Sequence, residues 1–238
     1  MAVVRALAED TGVELPVRLA AADLVGLIAM LPQHDRGDWM IWELRRRSMV
    51  LLERLARVAG LDPPTLEERS SISEGAQPPH VPVVLYLPHL RSPFNLGNMI
   101  RSAATFGIAG VVADPTGPSL HHPRTRRAAM NGEHLVPCRS GGLSEARRLL
   151  RDRWNDASGD APVVVLETGG IPVGRFSFPP WGVLVAGHEE LGVPGDLLAD
   201  ARRHDRVLTI PHGGPKASLN VGVAVGIAFS WWSAGTEA

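Results

Sequence analysis

The sequence predicts an α/β fold, a parallel sheet flanked by helices, with a small helical region ahead of it. Three observations lead there. From Val81 onward, short runs of β-branched and aliphatic residues alternate with stretches of helical periodicity. Those runs are apolar at successive positions, as strands covered on both faces are. Before about residue 68 the pattern is helical only, and a polar stretch rich in Ser, Gly and Pro separates the two regions.

Taken in order, residues 1–68 form the helical N-terminal region, with an apolar-rich stretch at 20–30. Asp38 is placed to cap a helix opening at Trp39, where Ile41, Leu44, Leu51, Leu52, Leu55 and Val58 recur at three- and four-residue spacings. Gly60, Pro63 and Pro64 end it. Residues 69–80 read as a linker and 81–238 as the main domain. Within that domain 81–87, 109–113, 163–166, 183–186 and 207–210 read as strands, and 98–106, 143–154, 194–201 and 218–232 as helices. The last helix is apolar all round, which predicts that it is buried.

Composition narrows the classes of function. The only cysteine is Cys138, which excludes an internal disulfide and argues against a Cys-based metal site. It reads as a small, partly buried hydrophobe in a reducing, cytoplasmic protein. No apolar run is long and unbroken enough to span a bilayer, and Arg5, Glu9 and Asp10 argue against a secretory leader. No metal site is expected. The net charge of −1 does not point to nucleic acid. The basic residues nevertheless cluster, at Arg45, Arg46 and Arg47, at Arg124, Arg126 and Arg127, at Arg147–Arg153 and at Arg202–Arg206, and Lys216 is the only lysine. Arginine forks match phosphate geometry; solvated helix faces are the other reading.

Ligands of parallel sheets bind beyond the carboxyl ends of the strands, and three post-strand segments stand out. The first runs from Pro88 to Arg101; Asn95 reads as a helix N-cap, Gly97 permits close backbone approach, and Arg101 lies six residues on from Asn95. In the second, Glu189 stands between Gly187 and Gly192. The third is a Gly/Pro loop from Ile210 to Lys216 leading to Ser218 and Asn220, both good caps for the apolar helix. Each alone is also what an ordinary capped helix or turn would show.

Together the three resemble the SpoU/TrmH branch of the SPOUT RNA methyltransferases. Asn95, Gly97 and Arg101 match its first motif, Gly187, Glu189 and Gly192 its second, and Ile210, Pro211, Gly214, Ser218, Leu219, Asn220 and Val221 its third. The stretch from Arg127 to His134 also looks like the segment between the first two. The likeness covers about residues 81–235, and departs from the family's frequent choices at Glu190, His212 and Gly222.

The resemblance implies a SPOUT fold with a C-terminal trefoil knot, although knots are rare. It implies a homodimer, and S-adenosyl-L-methionine held by Leu166, Glu167, Thr168, Gly169, Gly187, Ile210, Pro211, Ser218 and Leu219. The reaction would be methyl transfer to a ribose 2′-hydroxyl of rRNA or tRNA. Asn95 and Arg101 would orient and activate the hydroxyl, Glu189 would orient one of them, and Ser218 and Asn220 would complete the pocket. Arg45, Arg46, Arg47, Arg124, Arg126, Arg127 and Lys216 are the candidates for RNA contact, and the N-terminal helices would bind RNA or extend the dimer. Competing readings are an RNA-binding relative without methylation and a base methyltransferase. A dinucleotide oxidoreductase is disfavoured, because no Gly-x-Gly-x-x-Gly follows the first strand.

Overall fold

The computed structural model describes Ala22 and residues 79–154 and 160–236. Arg45, Arg46, Arg47, the helix expected from Trp39 and most of the linker lie outside the described residues.

The elements run β1 (Val81–Leu87), α1 (Pro93–Thr105), β2 (Ile108–Ala113), α2 (Pro123–Ala129), β3 (Cys138–Ser140), α3 (Leu143–Arg153), β4 (Val163–Pro172), β5 (Gly182–Ala186), α4 (Gly195–Arg203), β6 (Val207–Thr209) and α5 (Val221–Thr236). The six strands form one sheet in the order β3-β2-β1-β5-β4-β6. Every pairing is parallel, which is the expected α/β architecture.

Burial on both faces explains the apolar runs. Along β1, Val83, Leu85 and Leu87 join a cluster with Leu96, Met99 and Ile100 of α1 and Val225, Phe229 and Trp232 of α5. The alternate residues Val84 and Tyr86 face a second cluster with Ala146, Leu149 and Leu150 of α3 and Ala201 of α4. Period-two alternation thus feeds two cores rather than one core and solvent. Cys138 is partly buried as expected; burial, aided by the Glu133 carboxylate, pushes its thiol up to about 12.

Three expectations need correction. Helix α1 opens earlier than the sequence suggested, at Pro93: Ser92, not Asn95, is the N-cap, and its side chain accepts from the Asn95 N–H. Pro93 suits the first turn, where its missing donor costs nothing. Strand β4 runs on to Pro172, because Leu166 and Ile171 both stand opposite Leu208 and residues 167–170 bulge out between them. Helix α5 is not buried all round: Val223 is 55% and Trp231 48% exposed, while Val225, Phe229 and Trp232 fill the core. Helix α2 and strand β3 are additional elements. Gly97 does serve close approach, but to helix α2: a Cβ there would lie 2.3 Å from the Thr125 carbonyl oxygen.

Candidate active site

The bulge of β4 and the loops beyond the carboxyl ends of β5 and β6 meet around a cleft of about 490 Å³. The β4 bulge supplies Leu166, Glu167 and Thr168, the loop after β5 supplies Gly187 to Glu190, and the segment after β6 supplies Ile210, Ser218 and Leu219. Among the residues expected to hold the methyl donor, only Gly169 and Pro211 do not line it. Of the other lining residues, Glu190 and His212 stand out in the sequence only as departures from the family's choices and Val221 only as a motif match, while His188, Thr209, Ala217 and Ala224 are not singled out there. Val221 and Ala224 belong to the first turn of α5, so the capping signal at Asn220 already marked their neighbourhood.

The second loop is tightly closed. His188 and Gly192 exchange backbone hydrogen bonds of 3.0 and 2.9 Å, and His188 Nδ1 accepts from the Glu190 and Leu191 amides. A Cβ on Gly187 would sit 2.2 Å from the Gly192 carbonyl oxygen, so only glycine allows the closure. The turn holds Glu189 towards the start of α1. Its Oε1 accepts from the Ser92 N–H at 3.0 Å and Asn95 Nδ2 at 2.9 Å, and its Oε2 from the Arg91 N–H at 2.9 Å. Burial pushes this carboxyl up, but those hydrogen bonds together outweigh it and hold it below the usual carboxylate range.

Asn95 is itself 5% exposed and is gripped at both ends of its amide. Its Oδ1 accepts from Asn220 Nδ2 at 3.1 Å while its Nδ2 serves Glu189. Asn220 caps α5, accepting from the Gly222 and Val223 amides at 2.9 and 3.3 Å. Gly222 keeps this junction open, since a Cβ there would press within 3.1 Å of Asn220 Oδ1. The first, second and third motifs therefore converge through one chain of side chains, Glu189–Asn95–Asn220.

Arg101 does not join that chain. It neither lines the cleft nor pairs with Glu189; its guanidinium donates to Met130 Sδ. Six residues make about one and two-thirds helical turns, which turns Arg101 away from Asn95. The left-handed residues Met130 and Asn131 bring Gly132 beside the Arg101 backbone, where a Cβ would lie 3.2 Å from its Cα. Arg124, Arg126, Arg127 and Lys216 are exposed; Arg126 approaches Glu133 at 3.7 Å. Among the described residues no group of His, Cys, Asp and Glu is arranged to hold a metal ion, and no helix is long and apolar enough to cross a membrane.

The profile of the SpoU rRNA Methylase family matches residues 82–230. The chain belongs to this family. Among its relatives is the uncharacterized tRNA/rRNA methyltransferase YfiF of Escherichia coli O157:H7, 33% identical over 150 residues, covering 63% of this chain and 41% of that protein. Another is a tRNA (cytidine(34)-2′-O)-methyltransferase of Beijerinckia indica, 31% identical over 142 residues, covering 60% of this SpoU chain and 83% of that one. The chain thus spans less than half the length of the first relative and most of the second. A solved structure concerned with 2-OH methylation of C/U34 on tRNA is 27% identical with a TM-score of 0.51, over 65% of this chain and 95% of that one. The SpoU methyltransferase AviRb of Streptomyces viridochromogenes in complex with AdoMet shares the fold, with a TM-score of 0.53 at 22% identity over 64% of this chain and 59% of that one.

Proposed function

We propose that this protein transfers a methyl group from S-adenosylmethionine to a ribose 2′-hydroxyl of rRNA or tRNA. The observation that carries the reading is the Glu189–Asn95–Asn220 chain beside the cleft. The cleft suits the methyl donor. Leu166, Ile210 and Leu219 offer apolar surface, and Glu167, Glu189 and Glu190 place carboxylates around it, which favours a sulfonium cation. When bound, the donor supplies an electrophilic methyl group.

The chain's own residues act on the hydroxyl. Asn95 carries a carbonyl oxygen with a second lone pair beyond the Asn220 contact, suited to accept the ribose hydroxyl and fix its orientation. Glu189 stays ionised, so it is a poor proton acceptor; it is a positioning residue that locks the Asn95 amide. Ser218 lines the cleft beside Leu219 and is assigned to the nucleotide side. Arg101, an exposed guanidinium, is assigned to RNA phosphate and to the charge that develops on oxygen; a guanidinium does not give up its proton in proteins, so it is not the base. Arg124, Arg126, Arg127 and Lys216 extend the RNA surface, and Arg45, Arg46 and Arg47 are assigned to it from sequence alone.

Two further parts of the reading have structural support. After β6, at the sheet edge, the chain returns to α1 near the sheet centre, where Asn220 meets Asn95; we take this return to be threaded as a trefoil knot. Val223, Ile227 and Trp231 form a stripe at four-residue spacing on α5, with Val223 and Trp231 exposed, which suits a homodimer. Calorimetric titration of S-adenosylmethionine tests the reading. Saturation near one equivalent per chain is expected, and a folded protein that takes up none, with or without RNA, contradicts it.

A further inference from the structure

The cation tied into the Asn95–Glu189 cluster of this chain is Arg91, not Arg101. Its backbone N–H is one of the three donors to Glu189, and its guanidinium reaches over to Glu190 Oε1. Arg91, itself outside the cleft lining, therefore bridges the loop after β1 and the loop after β5 at the cleft's mouth, and among the described residues its side chain has one partner, an acid that lines the cleft. Glu190 stands where the family resemblance leads one to expect glycine.

The two side chains are 63% and 65% exposed. An ion pair that open to water contributes little to stability and exchanges readily. A phosphodiester offers the same planar pair of acceptor oxygens as a carboxylate, and arginine binds either bidentately. A nucleotide whose ribose hydroxyl met Asn95 would bring its own phosphates to this mouth. The geometry points to Arg91 as a substrate-positioning residue that exchanges Glu190 for an RNA phosphate flanking the target ribose. Glu190 holds the arginine in place without RNA and repels a backbone that fails to displace it. This inference rests on the RNA-directed reading above. Because the latch to Glu189 uses the Arg91 backbone, the side chain can be changed without undoing it.

The test uses the full-length chain and fluorescently labelled bulk transfer RNA and fragmented ribosomal RNA, with binding followed by anisotropy across a salt series. Arg91→Ala should lower the slope of log affinity against log salt by about one and weaken binding, while Arg91→Lys keeps the slope. Cofactor affinity of Arg91→Ala, measured in parallel, should be unchanged. Glu190→Gln should tighten RNA binding about twofold to fivefold, and that gain should vanish in the Arg91→Ala background. An unchanged slope in Arg91→Ala overturns the inference. So does a Glu190→Gln gain of equal size with and without Arg91, which would be simple relief of charge repulsion. If the unaltered chain binds both S-adenosylmethionine and RNA while either result appears, only this inference fails. If it binds neither, the underlying reading fails and takes the inference with it.

Discussion

Replacing Glu189 separates positioning from proton transfer. Glu189→Ala leaves the Ser92 and Arg91 amides and Asn95 Nδ2 without their acceptor. Hydrogen bonds to a charged group contribute about 1.5–3 kcal/mol each; discounted because this carboxylate is only half-buried, three of them give a stability loss of about 2–4 kcal/mol. Glu189→Gln keeps one carbonyl oxygen for the Ser92 and Asn95 donors and turns its NH₂ towards the Arg91 N–H, costing about 1 kcal/mol. Urea unfolding reads these values. Turnover should follow the position of Asn95. A misplaced reacting group costs about 100-fold, so the alanine variant should fall at least that far, and the glutamine variant about tenfold or less. The assay is transfer of labelled methyl from S-adenosylmethionine to bulk ribosomal and transfer RNA. A glutamine variant as inactive as the alanine variant, at near-normal stability, would refute the positioning argument and make the Glu189 charge itself essential.

Other outcomes follow from the same contacts. Asn220→Asp keeps the cap on α5 but turns an acceptor oxygen towards Asn95 Oδ1 in place of the donor, so about 1 kcal/mol of stability should be lost while turnover drops; Asn220→Ala should lose about 1 kcal/mol more in denaturant melts, because the cap goes too. Gly187→Ala forces a Cβ against the Gly192 carbonyl and should cost about 1–3 kcal/mol, with cofactor affinity by calorimetry falling alongside. The depressed Glu189 carboxyl contributes stability that is present above the ordinary carboxylate value and lost as pH falls through its lowered value. Denaturation midpoints of the unaltered protein should therefore decline more steeply on acidification than those of Glu189→Gln. Arg101→Ala should collapse turnover and leave cofactor affinity nearly intact; equal loss of both would make Arg101 structural.

Much of this was legible in sequence because parallel sheets place their chemistry after strands, and the strands announce themselves by two-sided burial. The segments around Asn95, Glu189 and Asn220 were each found that way. The cap was misassigned although its signal was present: Ser92 before Pro93 is a stronger start than Asn95, and reading it would have freed the Asn95 side chain for the site. Strand β3 has only three residues, none fully buried, too few for a pattern. Helix α2 begins after His122, an unusual cap, and is rich in arginine. The β4 bulge depends on pairing with β6, information no local window holds. The exposure of Val223 and Trp231 is likewise invisible to periodicity, since an outer apolar stripe and an inner one look alike.

The most direct test of ribose methylation is the product. RNA incubated with the protein and labelled S-adenosylmethionine, digested to nucleosides and analysed by mass, should carry the added methyl on ribose, surviving as a 2′-O-methylnucleoside that resists alkaline cleavage of its 3′ linkage. A methyl found on the base, with ribose unmodified, would contradict the account.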